Sequence, residues 1–229
     1  MFFFDPTMVL LIPGIILGLY AQAKIMGAYN KYRNVPSERG LSGAEAAAMV
    51  LRRNGQEDVA IEEIGGQLSD HFDPRENVLR LSSDVYHGRS VASVGIAAHE
   101  AGHAMQHATG YLPLVVRNGF VPLAGFGSIA WIILFIIGML LSMPGLIKIG
   151  IFVFTFVVFF QLITLPVELN ASRRALAMLT DTGAIYEEEV QPTKAVLNAA
   201  ALTYVAALVM ALLQLLRLLL IAGMMGGDE

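Results

Sequence analysis

FVPLAGFGSIAWIILFIIGMLLSMPGLIKIGIFVFTFVVFFQLITL, residues 120–165, carries one charged side chain, Lys148, in two apolar runs parted by Ser142-Met143-Pro144-Gly145. About 20 largely apolar residues suffice to cross a bilayer as a helix, and the Pro-Gly pair between the runs is turn chemistry. The stretch predicts a transmembrane helical hairpin over residues 120–141 and 146–165. Outward from it lie two more runs of spanning length, within residues 1–23 and 199–223, the latter with Arg217 near its end, where a long side chain can snorkel. The composition agrees: of 229 residues, 55% are hydrophobic and 15% charged, against about 25% charged in soluble domains.

Charge then orients the chain. Of the 15 Lys and Arg, ten fall in residues 24–119 and three in residues 166–198, while the tail GGDE is acidic. Basic residues collect on the cytoplasmic side, so both large loops are expected in the cytoplasm and both termini outside. The net charge of −4 argues against a nucleic-acid partner. With no cysteine in the chain, a zinc site would be built from His and carboxylate.

Residues 24–119 form the region long enough for a folded water-facing module. Ser42-Gly43-Ala44-Glu45 is a capping-box pattern that opens a helix closed by Gly55. VAIEEIGGQL (59–68) and NVLRLS (77–82) read as a small β-ribbon, joined by SDHFDPRE, where Asp73-Pro74 favours a turn. An exposed ribbon edge can pair with an extended peptide; it can equally serve only to cover the helices.

Chemistry concentrates further on, in GIAAHEAGHAMQHATG (95–110). Ser90 can cap a helix over about residues 90–110 that Gly110 ends. His99 and His103 are four residues apart, hence on one helical face, and can converge on one ion. Glu100 is rotated by about 100°, where a carboxylate in an H-E-x-x-H array reaches the attacking water. Zinc lowers the pKa of a bound water to about 7, and the carboxylate takes its proton as the water attacks a peptide carbonyl.

Catalytic zinc sites usually have three protein ligands. His107 lies about 12 Å along the axis from His99, which strains a shared site. The glycine-broken H-E-x-x-H-x-x-G-x-x-H class is excluded by Gln106 and Thr109. His71 and His87 are candidate ligands only if their loops fold back, and are candidates for stabilising a tetrahedral oxyanion. Glu168, just past the third apolar run in LPVELNASRRALAML, is the stronger candidate, since a carboxylate there needs an interfacial position or a cationic partner; solvation beside Arg173 or Arg174 is the alternative. Pro166 is expected to open a new helical segment or to kink the incoming one.

AAHEAGHAMQ, DHFDPRENVLRLS and LPVELNASRRAL together resemble the bacterial YugP-type neutral zinc metallopeptidases, over nearly the whole chain. The arrangement is more distantly similar to the CAAX prenyl protease and HtpX-like membrane peptidases. The resemblance implies one zinc ion held by His99, His103 and Glu168, with Glu100 as general base. Where the distant relatives carry Asp four residues after the glutamate ligand, this chain has Ser172, so Asn170 or Ser172 is expected to orient the ligands instead.

The combined expectation is a mainly α, multi-pass membrane protein of the bacterial plasma membrane, with four transmembrane helices and a gluzincin-like zinc peptidase module containing a small β-ribbon. It would be a zinc endopeptidase cutting membrane proteins or peptides near the cytoplasmic face of the lipid bilayer. The rival reading is a zinc-bound membrane scaffold or chaperone-like protein without proteolysis.

Overall fold

The computed structural model describes residues 6–225. Residues 1–5 and the acidic tail 226–229, which entered the orientation argument, lie outside the described residues. A 3-10 turn, Pro6–Leu11, leads into α1 (Ile12–Tyr32), followed by α2 (Gly43–Arg53), β1 (Ala60–Ile64), β2 (His71–Asp73), β3 (Val78–Ser82) and the one-turn α3 (Ser83–Tyr86). Four longer helices complete the chain: α4 (Val91–Ala108), α5 (Leu112–Leu140), α6 (Pro144–Asp181) and α7 (Glu187–Met225).

The protein is a mainly α membrane protein. Pro6–Tyr32, Leu112–Leu140, Pro144–Asp181 and Glu187–Met224 are each long and apolar enough to span a bilayer. Their large side chains point outward: Leu19, Phe126, Leu140 and Phe152 are all more than 60% exposed. In water such a surface would drive association; lipid tails solvate it, and helices satisfy their own backbone there. The α5–α6 hairpin closes through Ser142, at φ 51, and a 2.8 Å bond from the Met143 N–H to the Gly138 carbonyl. A Cβ at Gly138 would meet the Ile147 nitrogen at 2.9 Å, so glycine lets the two helices touch beside the turn. Across the layer α5 packs on α6, α6 on α7, and α7 on α1.

Helix α6 is longer than a bilayer crossing needs. At 1.5 Å per residue, the 38 residues of α6 extend about 57 Å, against a hydrocarbon core of about 30 Å. Of the two expectations for Pro166, a new segment is not seen; α6 runs through it as one helix. The residues that follow, Val167–Asp181, include good helix formers, and neighbouring helices support the turn that lacks an N–H. Helix α7 likewise begins at Glu187, well before its apolar run.

The water-facing layer has its own core, in which Ala46, Val50, Leu81, Val94, Ala101 and Leu179 are inaccessible to solvent. Helix α2 starts at the expected capping box: the Ser42 hydroxyl accepts from the Glu45 N–H at 3.2 Å, and the Ser42 N–H donates to Glu45 Oε2 at 2.7 Å. The small β-ribbon is a three-stranded sheet of order β1-β3-β2. Its two expected runs pair in parallel, Ala60 with Val78 through Ile64 with Ser82, and β2 reverses the chain between them, antiparallel to β3. DHFD, read from sequence as part of a connection, thus supplies an edge strand.

One crossing sets up the chemistry. Helix α4 lies on α6 so closely that a Cβ on Gly102 would sit 2.6 Å from the Ala171 carbonyl oxygen. Only a bare Cα fits, and it faces the α6 segment that carries Glu168.

Candidate metal centre

Helix α4 begins where expected, with the Ser90 hydroxyl accepting from the Ser93 N–H at 3.2 Å. It ends at Gly110, whose φ of 59 follows bonds from Gly110 N–H to His107 O and from Tyr111 N–H to Gln106 O, a Schellman closure. Between these caps, His99 and His103 share one face and α6 brings Glu168 against it. Glu168 Oε2 lies 3.2 Å from His99 Nε2 and 3.6 Å from His103 Nε2. All three ligand atoms fall within 4.8 Å of one another, and Glu168 is buried.

These spacings fit an ion better than direct bonds. Charge-assisted N–H···O contacts are normally about 2.7–2.9 Å. Zinc bonds of about 2.0–2.1 Å at tetrahedral angles hold ligand atoms about 3.3–3.4 Å apart. The surrounding hydrogen bonds agree. Gln106 Nε2 donates to the Val167 carbonyl at 2.8 Å and to Asn170 Oδ1 at 3.0 Å, which fixes the amide. Its Oε1 must then accept from His103 Nδ1, at 3.0 Å. In the neutral ring this leaves the His103 Nε2 lone pair toward Glu168. His99 Nδ1 lies 3.1 Å from the Ser172 hydroxyl, an equivalent support. Two imidazole lone pairs and a buried carboxylate, aimed at one point, suit a divalent cation. Without one, burial disfavours the His103 imidazolium, but Glu168, Glu100 and Gln106 together outweigh burial and raise that pKa.

Glu100 lines a cavity of about 190 Å³ with His99, His103 and Glu168. Burial pushes its carboxyl up from the ordinary value, the two imidazoles oppose the shift, and Glu168 and Asp70 add to it. Asp70 enters the same cavity from the loop before β2; it accepts from the Ser82 N–H at 2.8 Å, and burial raises its carboxyl too.

The remaining histidines separate cleanly. His107 is exposed and packs on Phe72 with ring centroids 5.8 Å apart. His87 is bound to Glu63 at 3.0 Å and lines a different cavity with Tyr29, Arg33 and Asp84, so the structure does not bring it to the metal centre. His71, on β2, does border that cavity. Its Nδ1 donates to the Ser69 carbonyl at 2.8 Å, so its Nε2 can donate only as imidazolium.

Sequence reasoning missed Gln106, Arg117 and Tyr204. Gln106 is wholly buried three residues beyond His103, a spacing that signals a shared face. Arg117, near the start of α5, borders the cavity, lies 5.6 Å over the Phe160 ring and buries its Nε without a partner. Tyr204, on α7, lines the cavity beside Glu168; a tyrosine inside an apolar run carries no sequence signal of that.

Residues 7–223 match the family described as "Putative neutral zinc metallopeptidase". The chain belongs to this family. A relative named "Putative membrane protease YugP", from Bacillus subtilis (strain 168), is 46% identical over 213 residues, covering 93% of this chain and 94% of its own. No solved structure gives a significant match. The family's description, the four apolar helices and the His99–His103–Glu168 cluster agree on a membrane protein of a zinc peptidase family.

Proposed function

We propose that the protein is a zinc endopeptidase that cuts membrane proteins or peptides at the cytoplasmic surface of the bacterial plasma membrane. The observation that carries this is the convergence of three ligand atoms, with Glu168 Oε2 at 3.2 Å from His99 Nε2 and 3.6 Å from His103 Nε2, and Glu100 lining the same cavity. His99, His103 and Glu168 would hold one ion per chain, and zinc there supplies Lewis acidity to water and to the scissile carbonyl. Glu100 accepts the proton of the attacking water and passes it to the leaving amine. Arg117 and Tyr204 border the reacting centre and are the groups placed to steady the oxygen of the scissile carbonyl.

Strand β2 gives the substrate a track. It is an edge of the sheet, and Asp70, His71, Phe72 and Pro74 along it line the cavity. An extended peptide can add to that edge as a further strand. The cytoplasmic placement follows from the basic residues of 24–119 and 166–198.

The test is digestion of a detergent-solubilised membrane-protein library by wild type and Glu100→Gln, with zinc measured in both. Cleavage by wild type and none by zinc-replete Glu100→Gln is the expected result. Undiminished cleavage by Glu100→Gln would refute it. Full biological activity of that variant without any cleavage would instead support a zinc-bound scaffold.

A further inference from the structure

Sharing a wall with the first cavity is a second, also of about 190 Å³. It shares Asp70, His99, Glu100 and Tyr204 with the first, but its other walls are mostly carbon: Ile25 from α1, Leu68 from the β1–β2 loop, Ile96 from α4, and Val196, Leu197 and Ala200 from α7. An engineered apolar cavity of about 150 Å³ is roomy enough for benzene, so this one has room for a leucine- or phenylalanine-sized group. Leu68, 41% exposed, sits at its edge with φ 53, a left-handed backbone that branched side chains disfavour. Strain of this kind gathers at ligand sites.

We propose that this cavity is the specificity pocket, taking the large apolar side chain of the substrate residue next to the scissile bond. The inference rests on the metallopeptidase reading and adds the substrate class. Three observations select this occupant. The pocket touches the ligand His99 and the base Glu100, so a side chain seated in it places its own backbone at the reacting centre. Its carbon walls offer an apolar group burial without an unpaired partner. The same faces of α1 and α7 continue away from the pocket as an apolar groove lined by Gly14, Gly18, Gln22, Thr203, Ala207 and Met210. Gln22 precedes Ile25, and Thr203 follows Ala200, by about one helical turn, so the groove's lining lies next to the pocket's on both helices. The residue delivered along the groove comes from an apolar segment leaving the bilayer.

The experiment measures binding of small hydroxamates to zinc-loaded, detergent-solubilised protein by calorimetry, so it does not depend on turnover. Two series are used: N-acetyl-aminoacyl hydroxamates, which present a side chain from the acyl side, and 2-substituted succinyl hydroxamates, which present it from the amine side. Each carries hydrogen, methyl, isobutyl or benzyl. The expected result is that one series binds isobutyl at least tenfold more tightly than methyl, a discrimination typical of an apolar pocket. Ala200→Phe, which fills the pocket, should erase that ratio. Ile25→Ala, which enlarges it, should move the optimum from isobutyl to benzyl. No preference in either series, or a preference unmoved by both variants, overturns the pocket alone. Failure of every hydroxamate to bind zinc-loaded wild type overturns the metallopeptidase reading, and the pocket with it.

Discussion

Gly102→Ala adds one methyl group at the crossing of α4 and α6 and should dismantle the metal centre. The new Cβ would lie 2.6 Å from the Ala171 carbonyl oxygen, about 0.8 Å short of the 3.4 Å at which ordinary contact begins. The obstacle is backbone, so no side chain can swing aside, and α6 must move by most of that distance. Glu168 lies three residues before Ala171 on the same helix and moves with it. Zinc–ligand distances tolerate about 0.2 Å, so a carboxylate displaced several times further no longer completes the site. Overpacking of this kind costs about 1–3 kcal/mol; if it falls on the metal-bound geometry, zinc affinity drops about 5- to 150-fold. The assay is competition for zinc against a calibrated chelator, beside thermal melts of the metal-free proteins to show that the variant folds. Gly27→Ala is the control, since a Cβ there meets nothing within 4 Å, and zinc binding should stay at the wild-type level. A folded Gly102→Ala protein that binds zinc as tightly as wild type would refute the reasoning.

Three further outcomes follow from the same contacts. Gln106→Leu should weaken zinc binding about 10- to 100-fold, because His103 loses the acceptor that fixes its Nδ1–H; equal chelator competition by variant and wild type would contradict it. Ser42→Ala removes the capping hydroxyl of α2 and should lower stability by about 1 kcal/mol, seen as a reduced Tm with unchanged zinc affinity in the folded protein. Asp70 gives a pH signature: burial raises its folded pKa, so its stabilising contribution is fully present below the unfolded value of about 3.9 and is lost as pH rises through the folded value. With chelator present, the Tm of wild type should therefore fall relative to Asp70→Asn as pH climbs from that value toward neutrality; parallel curves would exclude the shift.

Much of the architecture was legible in the sequence because it rests on local patterns. Residues 120–165 announce a hairpin by apolar length and a Pro-Gly turn, and Ser42-x-x-Glu45 and Ser90 announce helix starts by side-chain chemistry. Where composition and conformation part, reading fails. The apolar runs end at the membrane surface, yet α6 and α7 do not, because polar helix formers carry them on into water. Pro166 was weighed as opening a new segment or kinking the old one, while the helix formers after it carry α6 on as one element. Strand β2 is three residues long and exists only through its pairing with β3.

The candidate site divides in the same way. His99 and His103 are neighbours by helical spacing alone. Glu168 is far away in the chain, so the residues left several third ligands open, and the resemblance to a known family was needed to choose among them. Gln106 and Tyr204 act across the α4–α6 and α6–α7 contacts, which no local pattern encodes. Gly102 was the overlooked clue: a small residue between two metal-competent histidines marks where another backbone must come close.

The central claim is that one cation is gripped jointly by two rings of α4 and a carboxylate of α6. Zinc K-edge absorption on wild type and Glu168→Ala, both shown to be folded, tests it most directly. The account predicts one zinc per chain in wild type, with nitrogen and oxygen neighbours at about 2.0–2.1 Å and no sulfur, and little or no retained zinc after Glu168→Ala. An unchanged zinc content and an unchanged spectrum in that variant would contradict it.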